Sequence, residues 1–204
     1  MDKNKYHKIL LEYIPENAVN YVITLLETNP LHIKITKERS TKHGDFKLQT
    51  NGKPMITINY NLNPYAFLIT LIHEIAHFVN FKKTKSRVDP HGIEWKTEFK
   101  YLMLPLLNNE VFPNDVLSIL ANHMKNPKAS SSSDSKLVQV LKKYNPTNDK
   151  VLLHNLDIGT CFILNNMTLL LGDKRRTRFE CTDIKNNKKY LVNQNAEVSI
   201  VTKE

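Results

Sequence analysis

The feature that most constrains this chain is an apolar segment, from Tyr65 to Phe81, with titratable side chains at its centre. Asn63 and Pro64 precede it, and an N-cap oxygen followed by proline at the first helical position predicts a helix start. Because the segment is apolar nearly all round, we expect the helix to be buried in the core. Buried polar groups are costly unless they are paired or bound to a metal. The titratable residues of this helix therefore need a partner.

Those residues form the run His73-Glu74-Ile75-Ala76-His77. Histidines four positions apart lie about one helical turn apart on the same face, so both imidazoles can bind one ion. A glutamate beside the first histidine can reach a water at that ion. Zinc lowers the pKa of such a water, and the carboxylate can take its proton. The run predicts a metal site with Glu74 as the general base.

A catalytic zinc site usually has three protein ligands and leaves one position for water. The candidate side chains that follow the helix are Asp89, His91, Glu94 and Glu98. Asn80 and Lys83 stand where the metzincin continuation requires glycine and histidine, which excludes that subclass. We favour His91 because Asp89-Pro90-His91-Gly92 is typical of a turn that can present a side chain rigidly. The alternative is that His91 caps a helix or lies on the surface.

The rest of the first 125 residues mixes helical and strand patterns. Gly44 and Gly52 are expected to mark turns between short strands. Periodicity predicts two helices or one broken at Pro15 over 6–27, strands over 31–36 and 55–60, and helices over 92–104 and 114–125. This part of the chain is therefore expected to be α+β.

A serine-rich stretch over 126–136 predicts a linker or a mobile loop. Beyond it, the pattern changes to a short helix over 136–143 and then to short strands separated by asparagine- and glycine-containing turns. We therefore expect an α+β domain over 1–125, the linker over 126–136, and an accessory unit over 137–204 that consists of a short helix and a small β-meander or barrel.

Composition constrains partners and location only broadly. The 29 Lys+Arg against 20 Asp+Glu give a net charge of +9, which favours an anionic partner such as nucleic acid. The basic residues Lys174, Arg175, Arg176 and Arg178 are candidates for phosphate contacts, although a charged hairpin face exposed to solvent is the favoured explanation. The first residues lack the apolar core of a signal peptide and no apolar stretch could span a bilayer, so we expect a cytoplasmic protein without a membrane partner.

The two cysteines, Cys161 and Cys181, belong to no CxxC pair. They can form neither a disulfide framework nor a four-cysteine zinc site. We expect both to be reduced and buried, and we expect no second metal.

The HExxH run together with Pro90-His91-Gly92-Ile93-Glu94-Trp95 resembles the SprT-like (Spartan-type) zinc metallopeptidase domain, which carries an HGxxW/F element after HExxH. The segment from Arg39 to Phe46 is similar to the one before that family's active-site helix. The resemblance covers about residues 5–125 and implies a zincin-like α+β domain, with HExxH on a buried helix and a small β-rich unit after it.

By this resemblance, His73, His77 and His91 bind one catalytic Zn²⁺, Glu74 is the catalytic residue and Trp95 packs behind the site. The implied activity is hydrolysis of peptide bonds in a protein substrate. Eukaryotic relatives cleave proteins crosslinked to DNA, so DNA is a candidate partner. The four-cysteine ribbon that often follows the domain is absent from this sequence.

Two other functions remain open at this point. A zinc-stabilised adaptor for nucleic acid or protein would retain the fold, although such a site has no need of Glu74. A zinc hydrolase of a non-peptide amide would use the same residues. The sequence does not distinguish the oligomeric states that the protein could adopt.

Overall fold

The computed structural model describes residues 3–39, 41–84, 89–129, 133–146 and 150–201. The described chain is mixed α and β, with six α-helices and two sheets. It divides into two compact units, Met1–Pro146 and Thr147–Glu204, which are described separately below.

The other elements of the first unit pack around one central helix, α3 (Pro64–Thr84). The helices of this unit are α1 (Lys3–Tyr13), α2 (Glu16–Thr28), α3 (Pro64–Thr84), α4 (Ile93–Met103), α5 (Asn114–Lys125) and α6 (Ser135–Lys142). Its strands are β1 (His32–Thr36), β2 (Gly44–Leu48) and β3 (Pro54–Asn59). The strand order is β1-β3-β2, with β1 parallel and β2 antiparallel to β3, so β2 lies at an edge of the described sheet.

Helix α3 begins where the sequence predicts. Asn63 caps it, because its Oδ1 accepts hydrogen bonds from the backbone N–H groups of Tyr65 and Ala66 at 3.1 and 3.0 Å. The helix is buried over most of its length, from Phe67 to Asn80. It packs against β2, β3 and α4, which places its polar residues between the sheet edge and the following helix.

Helix α6 changes the expected domain organisation. Leu137, Val140 and Leu141 recur at helical spacing and are buried in the core of the first unit. The backbone carbonyl of Leu141 also accepts a hydrogen bond from Asn63 Nδ2 at 2.8 Å. The short helix therefore belongs to the first unit, and the division falls after Pro146 instead of at 126–136. Residues 130–132 of the expected linker lie outside the described residues.

The second unit is a six-stranded sheet. Its strands are β4 (Val151–Leu152), β5 (Cys161–Leu164), β6 (Met167–Arg175), β7 (Arg178–Asp183), β8 (Lys189–Asn193) and β9 (Glu197–Ile200), in the order β4-β9-β5-β6-β7-β8. The expected meander runs from β5 to β8. Asn165 and Asn166, both with positive φ (49° and 64°), form the two-residue turn between β5 and β6, as asparagines in hairpin turns commonly do.

Two expectations need correction. Gly44 does not mark a turn: it is the first residue of β2, paired with Ile58 of β3. Gly52 does lie in a turn, with φ of 76°. Both cysteines are free thiols, but only Cys181 is buried and Cys161 is half-buried.

Among the described residues, no helix is long and apolar enough to cross a membrane.

Candidate metal centre

Three histidines converge between α3 and α4. His73 and His77 lie one turn apart on α3, and His91 lies in the turn just before α4. That turn is held by Asp89, whose Oδ1 accepts from the backbone N–H of His91 at 3.1 Å and whose carbonyl accepts from that of Gly92 at 3.0 Å. The local turn therefore directs His91 toward the helix.

The three side chains have the spacing that a metal ion requires. The Nε2 atom of His77 lies 3.2 Å from Nε2 of His73 and 3.1 Å from Nε2 of His91. Tetrahedral zinc with bonds of about 2.0–2.1 Å places adjacent nitrogen ligands about 3.3 Å apart. The triad could therefore hold a metal ion, and its nitrogen donors fit zinc.

Burial keeps these imidazoles neutral. It lowers the pKa of His73 to about 3, with smaller contributions from His77, His91 and His123, and it lowers the pKa of His77 to about 4. The pKa of His91 is also lowered by burial, although the Asp89 carboxylate acts in the opposite direction. A histidine must be neutral to bind a metal. The protein thus presents the triad in its ligand form at neutral pH.

Trp95 closes the back of the triad. Its ring is fully buried and stacks on His77 with the centroids 5.2 Å apart and the planes at 26°. It also contacts His73 and His91 at 4.6 and 4.8 Å, and it stacks on Phe99 at 5.1 Å. These contacts restrict the three imidazoles to one arrangement.

Glu74 lies beside the triad and faces strand β2. Its side chain is buried, and burial together with the Asp45 carboxylate raises its pKa to about 8. A hydrogen bond from the backbone N–H of Phe46 and the positive charges of Arg39 and Lys42 act in the opposite direction. Positive charge at the triad would further favour the ionised carboxylate. The environment is that of a carboxyl group able to exchange a proton near neutral pH.

The triad and Glu74 line one side of a cleft of about 480 Å³. The rest of the lining consists mainly of the start of β2 and the loop before it, with Thr70, Pro90 and Ala129 in addition. The residues of β2 and its loop are Thr41, Lys42, His43, Gly44, Asp45 and Phe46. The cleft therefore lies between the triad and the start of the edge strand β2.

The remaining ligand candidates serve other purposes. Asp89 shapes the turn before α4. Glu98 accepts a hydrogen bond from Lys83 Nζ at 2.6 Å, and Glu94 is exposed in the first turn of α4. Among the described residues, only the three histidines form a group with metal-ligand spacing.

The four basic residues of the second unit lie together at the hairpin between β6 and β7. All four are exposed, and Arg175 is directly paired across the strands with Arg178. Arg175 and Lys189 both bind the Glu180 carboxylate, at 2.9 and 2.7 Å.

Sequence reasoning missed the cleft wall contributed by β2. The sequence Asp45-Phe46-Lys47-Leu48 does alternate polar and apolar residues, but over only four positions. Gly44, two positions before Phe46, was interpreted as a turn, so the strand that begins there was not assigned.

Residues 27–100 match the family model Peptidase_M78, which is described as the IrrE N-terminal-like domain. This range contains β1, β2, β3 and α3, the His91 turn and most of α4. The match indicates a metallopeptidase-like domain. It supports the class of protein that the motif predicts, but the family that it names is not the SprT-like family. No curated protein and no solved structure matches the chain.

Proposed function

We propose that this protein is a zinc-dependent peptidase that hydrolyses peptide bonds, with His73, His77 and His91 as the zinc ligands and Glu74 as the catalytic base. The observation that carries the proposal is the convergence of three neutral imidazoles beside a buried carboxylate at one cleft. A site that serves only to stabilise the fold has no use for that carboxylate.

The residues divide the chemical work between them. A zinc ion held by the three histidines would supply Lewis acidity, lowering the pKa of water and polarising a carbonyl oxygen. The Glu74 carboxylate accepts a proton from the attacking water and then donates it to the leaving amine nitrogen. Trp95 packs against the imidazoles and holds them in place.

The substrate is proposed to lie along β2. Edge strands have unpaired backbone groups to which an extended peptide can add as a further strand. Strand β2 lies at the edge of the described sheet, and its first residues line the cleft with Glu74. This geometry favours an extended segment of an unfolded or flexible protein as substrate.

A substrate panel distinguishes this function from the alternatives. Zinc-loaded protein is incubated with unfolded casein and with small non-peptide amides, and the products are identified by mass spectrometry. New peptide termini in casein are the expected result. Turnover of the small amides alone would favour the non-peptide hydrolase, and zinc binding without turnover of any substrate would favour the adaptor.

We further propose that the β6–β7 hairpin contacts the phosphates of a nucleic acid. Two features support this. Arg175 and Arg178 are like charges directly opposite each other, an arrangement that costs stability, and the ion pair of Arg175 with Glu180 offsets only part of that cost. Arg176 has a φ of 42°, a conformation in which glycine or asparagine is the usual choice. Cationic side chains therefore stand at positions where local stability favours other residues.

Binding of a fluorescently labelled single-stranded DNA tests this second proposal. The variant Arg176→Glu/Arg178→Glu is compared with Lys8→Glu/Lys34→Glu, which makes the same charge change at exposed positions of the first unit. The hairpin variant is expected to reduce the slope of the logarithm of the binding constant against the logarithm of the salt concentration by about 1.4. The control variant is expected to have the wild-type slope. Equal effects of the two variants would show that only net charge matters.

A further inference from the structure

Gly44 lies against helix α3 with no space for a side chain. A Cβ at this position would lie 2.7 Å from Cγ2 of Thr70, 2.8 Å from Oε1 of Glu74 and 2.9 Å from Cγ of Glu74. Gly44 is not among the glycines with a positive φ, so backbone conformation alone does not require glycine here. The requirement comes from the close approach to the Glu74 side chain.

The backbone that carries Gly44 is held in place. Asn59 is almost fully buried, and its Nδ2 donates to the carbonyls of Arg39 and Lys42 at 3.1 and 3.0 Å. The Arg39 guanidinium in turn donates to Asn59 Oδ1 and Thr57 Oγ1, both at 2.9 Å. These bonds tie the loop before β2 to the central strand β3.

The opposite wall is equally constrained, because α3 is buried in the core of the first unit. When neither backbone can move, an added side chain displaces the most flexible neighbour. That neighbour is the end of the Glu74 side chain. The carboxylate is also bound by the backbone N–H of Phe46, two residues further along the same strand.

We infer that Gly44 and the backbone of Phe46 are positioning residues for Glu74. Gly44 permits the carboxylate to approach the strand, and the Phe46 N–H fixes its orientation toward the triad. The inference rests on the proposed function, since it assigns these residues to the same catalytic group. Neither residue touches the metal or the substrate carbonyl in this role.

The test begins with Gly44→Ala in the full-length, zinc-loaded protein. Displacing the carboxylate is expected to lower kcat on casein by about 10²-fold, within the range for loss of a general base, with little change in KM. Zinc content is expected to stay equal to wild type, because the three histidines are not displaced. The control is Lys34→Ala, an exposed position of β1 at the opposite edge of the described sheet and outside the cleft, which is expected to keep wild-type activity.

A second pair of variants separates the two contacts of the new methyl group. Thr70→Ser removes Cγ2 but keeps the hydroxyl that donates to the Ala66 carbonyl at 2.8 Å. In Gly44→Ala/Thr70→Ser only the contact with Glu74 remains, so kcat is expected to stay low relative to Thr70→Ser alone. Full recovery in the double variant would overturn the inference, because the fault would then lie in the packing of Thr70.

Hydrogen exchange of the Phe46 amide provides a readout that does not depend on activity. The amide is expected to be protected in wild type and to exchange faster in both Gly44→Ala and Glu74→Ala. If the protein cleaves nothing but these exchange differences appear, the proposed function fails and the positioning of Glu74 stands. If wild type is active but Gly44→Ala is equally active with a protected amide, the inference fails and the function stands.

Discussion

The Asn63 side chain connects the start of α3 to α6, and its removal is expected to destabilise the first unit by about 3 kcal/mol. Its Oδ1 caps α3 through the N–H groups of Tyr65 and Ala66, which contributes about 1 kcal/mol. Its Nδ2 donates to the Leu141 carbonyl at 2.8 Å and to Asn145 Oδ1 at 2.7 Å, and each bond contributes about 1 kcal/mol.

The assay is urea unfolding followed by tryptophan fluorescence at a fixed zinc concentration. Trp95 is the only tryptophan in the sequence and lies in the core of the first unit, so the signal reports this unit alone. Asn63→Ala is expected to lose about 3 kcal/mol, and Asn63→Ser to lose about 2 kcal/mol because serine also caps helices. Asn51→Ala removes the hydrogen bond that Asn51 Oδ1 accepts from the backbone N–H of Lys53 in an exposed turn. This change is expected to alter stability by less than about 0.5 kcal/mol.

A loss in Asn63→Ala as small as that in Asn51→Ala would refute the reasoning. Equal losses in Asn63→Ala and Asn63→Ser would show instead that capping of α3 contributes nothing. In that case the connection to α6 would account for the whole effect.

Three further predictions follow from particular contacts. His91→Ala is expected to lower zinc affinity more than about 100-fold in a chelator competition, and unchanged affinity would remove His91 from the site. Burial raises the pKa of Asp134, but hydrogen bonds from His123 and a backbone N–H outweigh it, so the pKa is lowered overall. The stability difference between wild type and Asp134→Asn should therefore be complete above the unfolded-state pKa of about 3.9 and shrink as pH falls below it; a constant difference across this range in urea unfolding would contradict this. Asn166→Gly, at a φ of 64°, is expected to raise the thermal stability of the second unit slightly, and a clear loss in calorimetry would count against the assigned turn.

The sequence predicted helix α3 and the triad because both depend on local spacing. The cap at Asn63, the interval between His73 and His77, and the turn at His91 are each encoded within a few residues. Strand β2 was not predicted in this way, because its alternation of polar and apolar residues covers only Asp45 to Leu48 and Gly44 was interpreted as a turn. The role of Gly44 depends on its approach to Glu74, which only the packed structure reveals.

The position of α6 was also beyond sequence reasoning. Its apolar stripe was visible, but a serine-rich stretch before it predicted a linker and so a boundary. The stripe packs into the first core because Leu137, Val140 and Leu141 bury their apolar surface there and Asn63 bonds to the last of them. A composition signal for a flexible connection therefore did not mark the boundary between compact units.

The most direct test of the central claim is a paired measurement of zinc content and casein cleavage in wild type and Glu74→Gln. The account predicts about one zinc per chain in both proteins and cleavage by wild type alone, because Glu74 moves the proton while the histidines bind the metal. Wild type without zinc, or Glu74→Gln that cleaves as fast as wild type, would contradict it.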